Sequence, residues 1–290
     1  MKAIASIILI YALLWTVPAL AQKDTITVTG TRFVFPLVQQ WINSYTRQHP
    51  EVIFRLVSPR DPAAREALVH ISAQKTNEAQ RSEDNYYIEV ARYALLPVAN
   101  IKSSYAGKPL PEKELRALYF DREPASQPLT VYNRKEKSCA PVTFAAFYGA
   151  AFEDIKGKQV PGDDQQLLKA VQEDPSAVSF NNPGFIYDLS SRLPVRDIAV
   201  IPLDLNNNGR LDTDENFYGN LDQLIQRLET APPAGIPLEN VTLSYKRRLD
   251  TNHPALKDWV HYIQSAGRQQ LHDFGFLQLP SRQTVLNKVL

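Results

Sequence analysis

Oxygen-bearing side chains recur at regular intervals between Asp204 and Glu215, in the segment DLNNNGRLDTDE. A calcium-binding loop of twelve residues takes its ligands from positions one, three, five, seven, nine and twelve, and it has glycine at position six. Gly209 stands at position six here. The ligand positions hold Asp204, Asn206, Asn208, Arg210 through its carbonyl, Asp212 and Glu215. This spacing predicts a Ca²⁺ site; the alternative is an acidic, asparagine-rich surface turn.

The flanks of this loop lack the paired helices of a calcium sensor. The preceding DIAVIPL has the pattern of a strand, and Pro202 argues against a helix there, whereas NFYGNLDQLIQRLE predicts an amphipathic exit helix. We therefore expect a structural Ca²⁺ that holds an insertion in place and does not act as a switch. Three carboxylate ligands beside Arg210 predict a modest affinity.

Two strand-to-helix turns place hydroxyl groups where an anion can bind. In VTGTRFVFPL, Thr31 lies between a strand and a helix; in VYNRKEKSCAPVTF, a strand ends near Asn133 and Ser138 precedes a helix that we expect to begin at Pro141. A helix N-terminus offers unpaired N–H groups and a partial positive charge. Arg134 would add a charged pair of donors. The alternative is that Thr31 and Ser138 only cap these helices.

These segments belong to an alternation of strands and helices. TITVTG predicts a strand, FPLVQQWINSYTRQHP a helix with Pro36 in its first turn, and EVIFRLVS the next strand. The stretch YYIEVARYALLPVAN is longer than an average strand and indicates a crossover between two lobes. PALKDWVHYIQSAGRQQLHDFGF predicts one long C-terminal helix. The alternation indicates an α/β protein with mostly parallel strands.

The chain begins with the pattern of a secretory signal peptide. In MKAIASIILIYALLWTVPALAQKD, Lys2 precedes an apolar run from Ile4 to Val17 and a small-residue cleavage pattern that ends at Ala21. Cleavage after Ala21 leaves Gln22 as the first residue, and no later run is apolar enough to cross a bilayer. We therefore expect a periplasmic or secreted protein.

The composition of the 290 residues, with 44% hydrophobic and 22% charged, is that of an ordinary globular protein. The formal net charge of +1 argues against a nucleic-acid partner, and the single cysteine rules out a disulfide framework. Cys139 is interpreted as a small packed thiol, with a reactive nucleophile as the alternative. The five histidines are scattered, and neither H-E-x-x-H nor G-x-S-x-G occurs, so we expect no enzyme.

The order of the segments resembles the PstS-like, phosphate-class periplasmic solute-binding proteins. The resemblance rests on TGTRFVFPLVQQWINSYTRQHPEVIFRL, IEVARYALLPVANI, LPEKELRALYF, NRKEKSCAPVTFAAF, VQEDPSAVSFNNPGF and the segment from VTLSYKRRLD to FGFLQLP. It implies an α/β type II periplasmic-binding-protein fold with two lobes, a mixed, mostly parallel sheet in each lobe, and a hinge between them. The implied division is lobe 1 over 22–95, lobe 2 over 96–240 with the calcium-loop insertion at 197–231, and a return to lobe 1 over 241–290.

The resemblance also implies which residues bind the ligand. They are Thr31, Arg32, Phe33, Ser72, Arg134, Ser138, Cys139 and Ala140. This chain departs from the family pattern at the site, with Arg32 for a second hydroxyl, Glu136 for aspartate, Cys139 for glycine, Ala140 for threonine, and no acid beside Ser72. Arg32 either adds positive charge to the site or points into solvent.

The implied function is that of an extracytoplasmic binding protein. Such a protein captures a small oxyanion, phosphate first, between its lobes for an ABC-type membrane transporter, and we expect it to be a monomer. The departures at the site keep a second hypothesis open, in which a degenerate binding fold serves as an adaptor or sensor with no tight small-molecule ligand.

Overall fold

Two five-stranded sheets form the framework of the protein. A computed structural model of the chain describes residues 25–75, 79, 81–121 and 129–280. The expected signal peptide, residues 1–21, lies outside these ranges. We call the part of the chain built on the first sheet lobe 1 and the part built on the second sheet lobe 2.

The sheet of lobe 1 has the strand order β2-β1-β3-β10-β4. Its strands are β1 (Thr25–Gly30), β2 (Ile53–Leu56), β3 (Val69–Ser72), β4 (Asn85–Ala94) and β10 (Leu238–Lys246). Strand β1 pairs in parallel with β2 and β3, whereas β10 is antiparallel to β3 and β4. The parallel strands β1 and β3 therefore end at the same edge of the sheet, at Gly30 and Ser72.

The sheet of lobe 2 has the strand order β7-β6-β8-β5-β9. Its strands are β5 (Leu96–Asn100), β6 (Thr130–Arg134), β7 (Lys158–Val160), β8 (Ala177–Asn181) and β9 (Ile198–Val200). Strand β6 is parallel to β7 and β8, and β5 is antiparallel to β8 and β9. Two mixed sheets in two lobes confirm the predicted fold class; the predicted lobe boundaries stay a prediction.

Helices connect the strands and cover the sheets. They are α1 (Phe35–Thr46), α2 (Glu112–Phe120), α3 (Cys139–Phe147), α4 (Asp164–Glu173), α5 (Pro183–Ile186), α6 (Leu221–Thr230), α7 (Leu249–Asn252) and α8 (Pro254–Gln264). In α1 the predicted stripe of Leu37, Trp41 and Tyr45 is buried, as the periodicity requires. Helix α3 begins at Cys139, two residues before the predicted start. Over the described ranges, no helix is both long and apolar enough to cross a bilayer.

The crossover between the lobes is one extended segment, as predicted. Only Leu95 separates β4 of lobe 1 from β5 of lobe 2, and this residue is fully buried. The second crossover lies beside the first, because the Leu95 amide donates a hydrogen bond to the carbonyl oxygen of Pro237 at 3.0 Å. The hinge is therefore a pair of adjacent strands at one side of the cleft between the lobes.

The prediction of one long C-terminal helix is wrong. Helix α8 ends at Gln264, and two short 3-10 helices, Ala266–Gln270 and His272–Phe274, follow it. The hydroxyl of Ser265 donates to the carbonyl oxygen of His261, and the indole of Trp41 donates to the carbonyl oxygen of Gly267 at 2.9 Å. Long-range packing against Trp41 and the low helix propensity of glycine override the local pattern at this point.

A histidine–carboxylate contact joins the C-terminal segment to helix α6 of lobe 2. His272 Nε2 lies 2.8 Å from Oε1 of Glu229, which also accepts a hydrogen bond from the Gln278 amide. The hydrogen bond with Glu229 raises the pKa of His272. Burial acts to raise the pKa of Glu229, but its hydrogen bonds with His272 and Gln278 outweigh burial and lower it overall.

We expect His272→Gln to lower the free energy of unfolding most between about pH 4.5 and 6.5, by up to about 1 kcal/mol, since the pair is partly exposed. Because folding raises the pKa of His272, protonated His272 stabilises the fold fully below the ordinary histidine pKa. This stabilisation is lost as the pH rises through the folded pKa. Because folding lowers the pKa of Glu229, its carboxylate stabilises the fold fully above the ordinary glutamate pKa. This stabilisation is lost as the pH falls through the folded pKa.

Urea unfolding at pH 5.5 and pH 9, with the exposed His261→Gln as the matched control, measures this dependence. A stability loss in His272→Gln that is the same at both pH values would show that the charged pair contributes nothing.

Candidate functional site

A cavity of about 350 Å³ lies between the two lobes. All eight residues proposed for ligand binding line it, namely Thr31, Arg32, Phe33, Ser72, Arg134, Ser138, Cys139 and Ala140. Lobe 1 supplies the first four and lobe 2 the last four. The fold therefore brings together segments as far apart in sequence as Thr31 and Cys139, which are 108 positions apart. The role of these residues in binding stays a prediction.

The turn after β1 positions Thr31 at the cavity. Gly30 has a φ of +138°, and a Cβ at this position would lie 2.0 Å from the carbonyl oxygen of Ile71, so only glycine fits. The Thr31 amide donates to that same carbonyl oxygen at 2.8 Å. The Thr31 hydroxyl accepts a hydrogen bond from the Ala73 amide at 3.2 Å. The hydroxyl is thus held at the edge where β1 and β3 end.

Arg134, the last residue of β6, carries a buried positive charge into the cavity wall and is only 4% exposed. Its Nη1 donates to Oδ1 of Asp164 at 2.8 Å, and its Nη2 donates to the carbonyl oxygen of Gly162. Its Nε has no hydrogen-bond partner among the described residues. Buried donors are nearly always hydrogen-bonded in folded proteins, so an unpaired Nε in a residue of the cavity lining is unusual.

Asp164, in the first turn of α4, supplies a carboxyl group to the cavity. Its backbone carbonyl accepts a hydrogen bond from the side-chain amide of Asn181 at 2.8 Å, which fixes the start of the helix. Burial raises the pKa of the Asp164 carboxyl, although the neighbouring charge of Arg134 acts to lower it. The sequence has no acid beside Ser72 in lobe 1. The acid that lines the cavity in the structure, Asp164, belongs to lobe 2.

The two lobes touch each other at the cavity. The hydroxyl of Thr31 lies 3.1 Å from the sulfur of Cys139, so a hydrogen bond joins the N-terminal turn to the start of α3. Tyr93, at the end of β4, donates to the carbonyl oxygen of Ala73 and lies 3.2 Å from the hydroxyl of Thr143 in α3. These contacts bring the two strand-to-helix turns face to face.

The hydroxyls of Thr31 and Ser138 do not cap the helices that follow them. Neither side chain makes a capping hydrogen bond, so that alternative is wrong for both residues. The Ser138 hydroxyl oxygen is buried and has no partner in the described part of the chain. An unpaired hydroxyl at the start of α3 lies where the helix presents its free N–H groups.

The other predicted residues have different environments. Arg32 is exposed at the cavity, and its charge acts to lower the pKa of Asp164, so it is solvated and also contributes positive charge there. The Ser72 hydroxyl accepts from the Gln74 amide at 3.3 Å. The ring of Phe33 is buried against Tyr93, with ring centroids 4.9 Å apart. Phe33 thus forms an apolar part of the wall.

Sequence reasoning did not include six lining residues, which are Gly30, Pro59, Ile71, Asp163, Asp164 and Phe185. A signal existed for the two aspartates, because they follow β7 after only Pro161 and Gly162, and β7 pairs in parallel with β6. The carboxyl ends of parallel strands meet at one edge of a sheet, which brings an acid after β7 close to Arg134. The sequence alone does not show that β6 and β7 are neighbours.

The predicted calcium loop lies outside the lining of this cavity. Its first and last acids are buried, with Asp204 2% exposed and Glu215 1% exposed. Asp204 accepts hydrogen bonds from the amides of Asn208 and Gly209 at 3.1 and 2.8 Å. Glu215 accepts from the amide of Leu205 at 2.7 Å. The loop is thus closed by its own carboxylates.

The carboxylate of Asp212 faces the two asparagines of the loop. The side-chain amides of Asn206 and Asn208 both donate to its Oδ2 at 2.7 Å. Within the described ranges, no group of three or more histidine, cysteine, aspartate or glutamate side chains is placed to hold a metal ion. The Ca²⁺ ion therefore stays a prediction from the sequence.

Solved structures share the arrangement of two lobes around a cleft. A protein from Clostridium perfringens, described as a phosphate ABC transporter substrate-binding protein with bound phosphate, aligns with a TM-score of 0.66 at 11% identity, over 88% of this chain and 100% of that chain. An ABC-type phosphate transport receptor from Vibrio cholerae aligns with a TM-score of 0.64 at 14% identity, over 88% and 100%. The chain has the type II periplasmic-binding-protein fold.

This fold is not confined to transport. The sulfate-bound regulatory domain of OxyR2 from Vibrio vulnificus, a mutant form, aligns with a TM-score of 0.52 at 11% identity, over 87% of this chain and 98% of that chain. No protein-family model matches the chain, and no curated protein matches it in sequence. The fold is similar to that of PstS phosphate-binding proteins, and the function of the chain has to be argued from the site.

Proposed function

We propose that the protein is an extracytoplasmic solute-binding protein that holds a small oxyanion, phosphate first, between its two lobes. The observation that supports this most is a pair of buried polar atoms in residues of the cavity lining, Nε of Arg134 and Oγ of Ser138, which have no partner in the described part of the chain. Ser138 lies at the start of α3, where free N–H groups and the helix dipole favour an anion, and Arg134 ends the strand that leads into this turn. That the protein binds its ligand and does not catalyse a reaction stays a prediction.

The secretory pattern at the N-terminus and the fold support delivery of the anion to a membrane transporter. Two of the solved structures with this fold are described as parts of phosphate ABC transport systems. We infer a periplasmic or secreted monomer that closes on its ligand and presents it to an ABC-type partner.

An adaptor or sensor without a tight ligand is the second candidate function. Arg134 already forms an ion pair with Asp164, and the lining carries two arginines and two aspartates, so its formal charges balance. A neutral lining attracts a dianion less strongly than a cationic one.

Calorimetry separates the two functions. We expect titration of the mature wild-type protein with phosphate or sulfate to give heat that fits one site per chain, because the cavity joins both lobes around one buried arginine. A matched titration with chloride controls for ionic strength. No heat with either oxyanion at high protein concentration would favour the adaptor or sensor.

We also propose that the loop from Asp204 to Glu215 binds one structural Ca²⁺. The sequence spacing carries this proposal, and the burial of Asp204 and Glu215 is compatible with it. The loop lies outside the cavity lining, which supports a structural role separate from the anion site.

A further inference from the structure

The cavity is larger than an inorganic oxyanion requires. One water molecule, a single non-hydrogen atom, takes roughly 30 Å³ of liquid volume. With the lobes positioned as in this structure, the cavity of about 350 Å³ has room for about a dozen non-hydrogen atoms, whereas phosphate or sulfate has five. Its volume falls in the range of pockets that hold small organic molecules, roughly 300–1,000 Å³.

Apolar side chains from both lobes line the space beside the polar groups. Phe33 and Ile71 come from lobe 1, and Phe185, in the short helix α5, comes from lobe 2. Phe33 is held in place by ring contacts with Tyr93 and Phe276, at centroid distances of 4.9 and 6.2 Å. Phe33 and Ile71 are buried, whereas Phe185 is partly exposed, so an inorganic oxyanion would leave the ring of Phe185 against water.

The charges of the lining favour a ligand with one negative charge. Arg32 and Arg134 are matched by Asp163 and Asp164, and the Arg134–Asp164 pair is buried at 2.8 Å. A second negative charge on the ligand would face the Asp164 carboxylate in a region of low dielectric, where repulsion is strong. One unpartnered Nε and one unpartnered hydroxyl also match a single head group.

We propose that the preferred ligand is an organic oxyanion, in which a sulfonate or a singly ionised phosphonate head carries one compact apolar substituent. This inference rests on the proposed function and narrows its ligand class. The head accepts hydrogen bonds from Arg134 and Ser138, and the substituent lies against Phe33 and Phe185.

Calorimetry with two matched pairs of anions tests this proposal on the wild-type protein. Phenylphosphonate is compared with inorganic phosphate, which differs mainly in lacking the apolar group. Benzenesulfonate is compared with inorganic sulfate, which lacks the apolar group and also carries a second negative charge. We expect the substituted anion to bind at least about tenfold more tightly in each pair, the gain typical of filling a small hydrophobic pocket. The two pairs also distinguish a phosphonate site from a sulfonate site.

A substitution in the apolar part of the cavity wall provides a second test of this proposal. Phe185→Ala is expected to lower the affinity for phenylphosphonate far more than the affinity for inorganic phosphate, so that most of the preference for phenylphosphonate is lost. The matched control is Phe147→Ala, a partly buried phenylalanine of α3 that does not line the cavity, and it should keep the preference.

The outcomes separate the two proposals. If inorganic phosphate binds as tightly as phenylphosphonate or more tightly, the organic ligand class is wrong while the anion-binding function stands. If none of the four anions binds, the proposed function itself fails. If both variants lose the preference equally, the substituent does not lie against Phe185, and this part of the inference is overturned.

Discussion

Replacing Arg134 by alanine is expected to weaken binding of phosphate or sulfate by about 2–5 kcal/mol, or roughly thirtyfold to several thousandfold in Kd. Arg134 is buried at the cavity wall, and its Nε has no partner among the residues that the structure describes, so we expect its loss to remove a charged hydrogen bond to the anion that solvent replaces poorly. Calorimetry on the wild type and the variant, with whichever inorganic oxyanion binds more tightly, measures the change.

The same substitution is expected to lower the free energy of unfolding by about 3–5 kcal/mol, because it leaves the buried Asp164 carboxylate without its partner. Arg134→Ala combined with Asp164→Asn removes both charges and should recover much of the stability. It should not recover the affinity. Urea unfolding of the single and double variants therefore separates a folding defect from the loss of the anion site.

Arg116→Ala is the matched control, since Arg116 forms an exposed ion pair with Asp121 at 3.1 Å. Both side chains are nearly half exposed, so we expect a stability change below about 1 kcal/mol and no change in anion affinity. If Arg134→Ala binds the anion as tightly as the wild type does, the site does not lie at this cavity.

Calcium at about 10 mM is expected to raise the free energy of unfolding by about 1–3 kcal/mol. Calcium loops of extracellular proteins have Kd values of roughly 0.1–1 mM, and a ligand that binds only the folded state stabilises it by RT ln(1 + [L]/Kd). At about 2–4 °C of melting temperature for each kcal/mol, the shift is easily measured. Thermal unfolding with calcium and with a chelator provides the comparison.

Asp204→Ala with Glu215→Ala should abolish this calcium-dependent rise. The double variant should also be less stable without calcium, because both carboxylates accept backbone hydrogen bonds that close the loop. Asp214→Ala removes an exposed carboxylate of the same loop that is not at a ligand position, and it should keep the rise. If the chelator does not change the melting curve, the proposed Ca²⁺ site is wrong. A large effect of calcium on anion affinity would contradict a purely structural role.

The sequence by itself determined most of the individual elements, because side-chain spacing along one element is a local property. Leu221, Leu224 and Leu228 recur at helical spacing and are buried in α6, as the periodicity predicts. The long extended stretch that predicted the crossover became β4 and β5, in different sheets. The two strand-to-helix turns also followed from local pattern, and both of them line the cavity.

Where local pattern failed, a distant residue was the reason. The segment after Gln264 has helical periodicity, but Trp41 of α1 binds the Gly267 carbonyl and the chain continues as 3-10 helices. No local signal along the C-terminal segment indicates that an indole more than two hundred residues earlier in the chain packs there.

Only the tertiary structure decided which elements are neighbours. Each sheet has the same arrangement, with one strand paired in parallel on both sides and then two antiparallel pairings in succession. The sequence shows no internal repeat, because a buried position requires an apolar side chain of suitable volume and not a particular residue. The buried Arg134–Asp164 pair depends on this strand order, since β6 and β7 must lie side by side for the two residues to meet. Periodicity shows which face of a helix or strand is buried, whereas its neighbours are set by packing between residues far apart in the chain.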